Sequence, residues 1–243
     1  MGQAGSSSGH AAEELQVGVR PAAIRDYWAI AEVHAQSFYP SANWLFAQLL
    51  RLDRVFALQM GNDNDVKGKQ GKFQCFVAYD LDAESRAQYN AQGRGTPGAN
   101  VPHFFQFLLA EPLRAGFELS PAQIGLLGAV VVDMQGSYLP AERVEKGPFV
   151  AYERPQDVAY ISNLAVIPHA RRQGIGEQLL MAAESAAREW GCKRLALHCD
   201  ASNEAASGLY RKYDYTTLSK EGPWMSFLQG KQVRLELMAR DIC

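Results

Sequence analysis

The sequence predicts a mixed α/β fold, one sheet with helices on both faces. Three observations lead there. Two helix-length amphipathic segments come first, short apolar segments of strand character follow, and the chain closes as strand–helix–strand–helix–strand. A chain of 243 residues with 47% apolar content fits one domain of generous size with a substantial core. No internal repeat is evident, and nothing calls for a second domain.

Residues 1–14 are small and polar and are expected to form a disordered tail, leaving 15–243 as the domain. Val17–Arg20 is a short strand candidate. Pro21–Gln36 reads as a helix carrying Ile24, Tyr27, Ile30, Ala31 and His34, and Ser37-Phe38-Tyr39-Pro40 breaks it, because residues before proline avoid the helical region. A second helix is expected from Ser41 or Ala42 to about Met60, apolar at Trp44, Leu45, Leu49, Leu52 and Phe56, then a polar turn region over Gly61–Lys72. Phe73–Tyr79 alternates as a strand does. Asp80–Asn100 is rich in Gly, Ala and polar residues, and His103–Leu109 is short and aromatic. Loops this long are uncommon in compact domains, so about 80–122 is expected to be a partly ordered insertion against one face. Ile124–Val132 is the clearest strand, with Gly125 and Gly128 marking a bulge or close approach. Asp133–Asp157, holding Pro140, Pro148 and Pro155, is a second insertion.

The most informative stretch is Tyr160–Trp190, YISNLAVIPHARRQGIGEQLLMAAESAAREW. A short apolar run ends at Pro168, two arginines follow, and Gly174 and Gly176 bracket Ile175. From there Ile175, Leu179, Ala182, Ala183, Ala186 and Trp190 repeat with the period of a helix. The first turn of a helix offers unpartnered N–H groups and the positive end of its dipole. With glycines keeping side chains away and Arg171 and Arg172 adding charge, such a junction can hold a diphosphate. A glycine turn before an ordinary helix with solvated arginines is the plain alternative. Arg194–Cys199 is the next strand, Asn203 a plausible cap for a helix over Glu204–Tyr213, and Tyr213–Thr217 strand again. Lys220–Lys231 holds the aromatic hairpin-like GPWMSFLQG, and Gln232–Met238 closes the chain as a strand.

A net charge of −2 and the lack of any basic block longer than two residues argue against a nucleic-acid partner. No stretch is long and apolar enough to cross a bilayer, so no membrane partner is expected, and the amino terminus lacks an apolar signal core. Residues 1–6 fit the loose Met-Gly-x-x-x-Ser acylation pattern, although a trimmed start reads the same way. Cys75, Cys192, Cys199 and Cys243 match neither a zinc knuckle nor a disulfide framework and read as reduced, mostly buried thiols; no metal is expected.

Arg171-Arg172-Gln173-Gly174-Ile175-Gly176 resembles the acetyl-CoA diphosphate turn, Arg/Gln-x-x-Gly-x-Gly/Ala, of the GCN5-related N-acetyltransferases. Ala201–Tyr215, ASNEAASGLYRKYDY, is similar to that family's strand-to-helix segment with its asparagine and tyrosine. The resemblance is best over Ile124–Tyr215. The arginine pair and the closing Gly-Lys-x-x-Arg stretch look most like the plant and algal plastid branch, which acetylates protein amino termini and lysines. It implies a single domain whose mostly antiparallel sheet splays as a V between two parallel strands, Tyr160–Ile167 and Arg194–Cys199. It also implies acetyl-CoA as the substrate, a plastid stroma location, and a monomer acting on protein or peptide amino termini and lysines. By the same resemblance the backbone of Leu164, Ala165 and Val166 would pair with the pantetheine arm. The N–H groups from Arg172 through Gln173, Gly174, Ile175 and Gly176 would take the diphosphate beside Arg171. Asn203 would bond the cofactor arm, and Tyr210 would lie near the thioester sulfur.

Amide formation from a thioester needs a base for the amine, a stabilised oxyanion and an acid for the thiolate. His198 helped by Tyr160 is the expected base, placed like the histidine and tyrosine of Naa50-type enzymes, where many bacterial relatives carry glutamate. A neutral imidazole, with an ordinary pKa of about 6.5, suits that role. A hydrogen-bonded core histidine and a strand-packing tyrosine are the plain readings of the same two residues. Tyr210 is the candidate acid, or a packing tyrosine. An acyl-cysteine route through Cys199 is disfavoured, because buried thiols are usually inert. Phe38, Tyr39, Trp224 and Phe227, with Tyr160, are expected to flank an extended peptide, and Glu153, Asp157 or Asp200 could attract a lysine ammonium. Three other readings stay open: a small-amine acetyltransferase, a non-catalytic acyl-CoA-binding module and, more weakly, a dinucleotide-binding domain.

Overall fold

The computed structural model describes residues 16–66, 72–82, 125–134, 139–140, 142–146, 149–153, 155, 157–220 and 234–242. The expected tail over 1–14, most of the first insertion with His103–Leu109, and Trp224, Phe227 and Cys243 lie outside them. The strands are β1 (Val17–Pro21), β2 (Phe73–Asp80), β3 (Leu126–Asp133), β4 (Glu142–Lys146), β5 (Phe149–Glu153), β6 (Val158–Val166), β7 (Arg194–Asp200), β8 (Thr216–Lys220) and β9 (Leu235–Asp241). The helices are α1 (Tyr27–Phe38), α2 (Trp44–Val66), α3 (Ile175–Glu189) and α4 (Glu204–Lys212). A seven-stranded sheet runs β1-β2-β3-β6-β7-β9-β8, and β4 and β5 form a separate antiparallel hairpin inside the second expected insertion. Every neighbouring pair in the main sheet is antiparallel except β6 and β7.

Local chemistry moves several boundaries. Helix α1 begins at Tyr27, later than the pattern from Pro21 implied, because Asp26 is committed to the preceding turn. Its carboxylate accepts from the Ala23 N–H at 2.7 Å and from Arg20 Nη1 at 2.6 Å. Helix α2 starts where Asn43 Oδ1 accepts from the Phe46 N–H at 2.9 Å. It runs past Met60 to Val66, and Gln59 donates to Asp63 one turn on at 2.8 Å, so the start of the polar segment that read as a turn continues the helix. The final strand sits three residues later than its alternation suggested.

Strand β3, LLGAVVVD, is apolar on both faces because both are covered. One face carries Gly128. A Cβ there would stand 2.7 Å from the Ala165 carbonyl oxygen and 3.0 Å from Leu179 Cδ1, so β6 and α3 press directly on this glycine. The opposite face carries Val131 and Asp133, in register with Cys75 and Phe73 of β2 and with Ser162 and Tyr160 of β6. Helices α1 and α2 cover that face, and a Cβ at Gly61 of α2 would meet the Phe73 ring at 2.4 Å. The buried core is filled by Ile30, Val33, Val77, Val130, Val132, Leu179, Leu195 and Met238.

The sheet does not stay closed. The parallel ladder between β6 and β7 runs from Val158↔Arg194 to Ile161↔Leu197 and stops. Among the described residues, β6 beyond it pairs only with β3, and His198–Asp200 pair only with β9. Asn163, at φ 55, kinks β6 just past the divergence, and the β3–β6 register shifts there. The V expected between the two parallel strands is present.

Candidate active site

Two adjoining cavities meet at this splay. One, of about 880 Å³, opens on the α1/α2 face; the other, of about 680 Å³, lies beside the amino end of α3. Leu164, Asn203, Ala206 and Tyr210 line both.

The smaller cavity is built on the turn after β6. Pro168–Ala170 makes one 3-10 turn, Arg172 takes φ 67 and Gly174 φ 77, and the chain then enters α3 with no side chain capping its first N–H groups. Those donors therefore face the cavity, as a bound anion requires. Gly174 is needed for its left-handed backbone, since a Cβ there would meet nothing within 4 Å. At Gly176 a Cβ would stand 3.4 Å from Leu209 and 3.8 Å from Leu164, narrowing the space between the turn and α4. Arg171 ties the turn to the strand by donating from Nε to the Val166 carbonyl at 3.0 Å. Arg171, Arg172, Gly174, Ile175 and Gly176 line this cavity with Leu164, Ala165 and Val166, whereas the Gln173 side chain turns back to the His169 carbonyl at 3.4 Å. Past Ile161, β6 has parted from β7 while Ala165 and Val166 still pair with β3, leaving the β7-side edge of β6 for an extended chain to pair along. Across the mouth Glu177 pairs with Lys212 at 2.9 Å, and hydrogen bonds from Tyr213 and Lys212 hold its carboxyl below the usual range.

The larger cavity holds the candidate base. Tyr160 Oη lies 2.9 Å from His198 Nδ1. Strand pairing puts Asp133, Tyr160, Ala196 and His198 on one face of the sheet, so the pair follows from β6 and β7 lying side by side for four residues and then parting. Tyr160 is buried, and the His198 ring is half-exposed toward the cavity.

Tyr210 reaches the same gap from the other face. Cys199 follows His198 and points the opposite way, its Sγ 3.5 Å from Ser207 Oγ of α4, which places α4 and Tyr210 on the face shared with α3. Tyr210 is 6% exposed, and burial, then Cys199 and Tyr160 nearby, push its phenol well above the ordinary value, so it stays protonated. Burial likewise raises the Cys199 thiol and makes it a poor nucleophile. Asn203 serves as the expected cap, its Oδ1 accepting from the Ala206 N–H at 3.0 Å, and it also lines both cavities.

Phe38 and Tyr39 line the larger cavity, 47% and 43% exposed, and Phe38 lines the smaller one as well. The acidic residues named from the sequence divide. Asp157 pairs with Lys193 at 3.1 Å, outside both cavities, whereas Asp200 lines the larger cavity and also holds the next loop by accepting from the Ser202 N–H and hydroxyl. The carboxylate on the wall beside Tyr160 is Asp133, which the sequence reading passed over; a lone charge ending the apolar run Leu126–Val132 was the available signal. His34 and Arg54 were also missed. They line the same cavity from α1 and α2, with Arg54 Nη2 3.2 Å from His34 Nε2. Among the described residues no group of three or more His, Cys, Asp or Glu is placed to hold a metal, and no helix is long and apolar enough to cross a membrane.

Residues 124–215, which contain the turn, the splay and α4, match the acetyltransferase (GNAT) family. The GCN5-related N-acetyltransferase 4, chloroplastic, of Arabidopsis thaliana is 31% identical over 208 residues, which are 84% of this chain and 62% of that protein. The chain thus spans about three fifths of that relative's length. An N-acetyltransferase from Staphylococcus aureus Mu50 superposes with a TM-score of 0.53 at 16% identity, covering 94% of this chain and 99% of its own. The PaiA N-acetyltransferase of Thermoplasma acidophilum, solved with coenzyme A, gives 0.53 at 12% identity over 93% and 99%. Residues 124–215 are thus similar to the GNAT acetyltransferase family, and the sheet and helices around them have the fold of these solved acetyltransferases.

Proposed function

We propose that this protein transfers the acetyl group of acetyl-CoA to the α-amines of protein and peptide amino termini, with lysine ε-amines as a second acceptor. The observation that carries the proposal is the Tyr160–His198 pair, 2.9 Å apart, where the two cavities meet. One cavity presents the N–H groups and arginines a diphosphate needs; the other opens past Phe38 and Tyr39 to a groove that can take an extended chain. The head of α3, which has no side-chain cap, and the edge of β6 left where it parts from β7 fit a CoA thioester lying through the splay.

In this reading the β6 edge and the turn orient the thioester, and the acceptor amine arrives on the face of Tyr160. With Nδ1–H donating to Tyr160 Oη, His198 Nε2 takes the amine proton, directly or through a water. The amine nitrogen attacks the acetyl carbon, and a backbone N–H near Leu164 or Val166 meets the oxyanion. The C–S bond then breaks, and Tyr210, on the opposite face, gives the departing sulfur its proton. Keeping base and acid on opposite faces prevents them from quenching each other. No acyl-enzyme is needed once both reactants are held in line.

Residues 15–243 act as one acetyltransferase domain in this account. The Arabidopsis relative is named as chloroplastic, which supports a plastid location. Purified protein given acetyl-CoA and a mixed peptide library, with products mapped by mass, should show α-amine products first and lysine products second. Products on polyamines or aminoglycosides alone would contradict the assignment.

A further inference from the structure

Asp200 takes no part in the chemistry above, yet it lines the larger cavity with His198. It ends β7 two residues beyond His198, so strand alternation puts both side chains on one face of the sheet, about 7 Å apart at their origins. Leu235, its partner across the β7–β9 ladder, lines the cavity beside it. The carboxylate is held in place, because Oδ1 accepts from the Ser202 N–H at 2.9 Å and from the Ser202 hydroxyl at 2.8 Å. Both donors are neutral, and among the described residues no Lys or Arg pairs with Asp200, so its charge is oriented and not cancelled. Oδ2 is left for another donor. The other carboxylate of this wall, Asp133, stands two strands away on β3, so Asp200 is the nearer of the two to His198. The helical wall opposite carries Phe38, Tyr39 and the cation Arg54, which bonds His34 at 3.2 Å. A further positive charge entering the cavity is therefore repelled from the helices and drawn to the sheet.

We propose that Asp200 is a specificity-determining residue whose carboxylate binds a cationic side chain at the second position of the acceptor peptide, so that acceptors with arginine or lysine there are preferred. This rests on the α-amine reading above. In an extended peptide successive side chains point to opposite sides. With the amine at His198 and the first side chain against Phe38 and Tyr39, the second turns toward the sheet wall. Its Cα lies about 3.8 Å from the first, and an arginine or lysine stem covers the rest of the way to the end of β7. A carboxylate already fixed through Oδ1 loses little freedom on binding, and a guanidinium can donate to Oδ2 without displacing Ser202. A neutral side chain of the same length gains no charge attraction there.

The test is steady-state acetylation, at saturating acetyl-CoA, of two lysine-free peptides with free amino termini. They differ only at the second residue, arginine in one and its neutral isostere citrulline in the other. Wild type should favour the arginine peptide about three- to fivefold in kcat/KM, through KM, as a partly exposed ion pair allows. Asp200→Asn, which keeps an oxygen for both Ser202 donors, should bring that ratio to about one, with acetyl-CoA affinity within about twofold of wild type. Asp200→Glu, which keeps the charge and moves it, should fall between the two. Raising salt to about 0.5 M should shrink the wild-type ratio with no substitution made, so the outcome does not hang on how a variant folds. A wild-type ratio of one, a ratio indifferent to salt, or an equal loss on both peptides in Asp200→Asn overturns the proposal while the α-amine reading stands. A wild-type protein that acetylates neither free terminus overturns that reading, and the selection by Asp200 with it.

Discussion

At the residue scale, the site depends on side chains whose protonation is set by their surroundings. Tyr210 is kept protonated by burial, which suits the acid role proposed for it. His34 is kept neutral by the same physics applied to a base. Its folded pKa of about 4 lies below the ordinary 6.5, so the unfolded chain binds the extra proton first as pH falls. The stability this contributes is fully present above about pH 6.5 and is lost as pH drops through about 4. Melting temperatures followed from pH 7.5 to 4 should therefore fall more steeply for wild type than for His34→Gln; parallel curves would show that the ring is not buried neutral. None of this was visible in the sequence, where His34 read as one residue of an amphipathic helix. Its partner, 20 residues away, becomes a neighbour only once α1 and α2 pack.

At the element scale, the turn between β6 and α3 was legible because its chemistry is local: Pro168 ends the strand, Gly174 supplies a left-handed residue, and the apolar period changes at Ile175. The same locality explains why Asn203 was readable as a cap, whereas Gly128 was readable because a glycine inside an apolar strand itself marks a close approach, whatever distant residue makes it. Boundaries failed where polar residues took part in tertiary or intrahelical bonds, as Asp26 does before α1 and Asp63 does within α2. The β4–β5 hairpin was read as part of a loop because it lies among prolines, and its pairing partner is itself. Gly174→Val should remove acetyl-CoA binding, measured calorimetrically, because a β-branched residue at φ 77 costs upward of about 1–2 kcal/mol and distorts the donors. Since a Cβ there meets nothing within 4 Å, Gly174→Asn, which tolerates that backbone, should keep much of the affinity. Equal loss in both variants would point to a role other than backbone conformation.

At the scale of the whole molecule, the topology creates the function proposed for it. A seven-stranded sheet whose only parallel pair parts after four residues opens a passage between its faces, and the two candidate proton-transfer groups approach it from opposite sides. The V could be anticipated only from family resemblance, because the period of β6 and β7 says what faces a core and not where two strands separate. Asp133, His34 and Arg54 were hidden for a related reason: they converge from β3, α1 and α2, and no spacing along the chain relates them. The division of labour between the cavities is most directly tested by comparing His198→Ala with wild type in a single-turnover acetyl transfer to a free-terminus peptide, with acetyl-CoA affinity measured on the same samples. Loss of the base should slow transfer by about a hundredfold to ten-thousandfold while leaving that affinity within about twofold. A rate equal to wild type would contradict the assignment of Tyr160 and His198 as the proton acceptor.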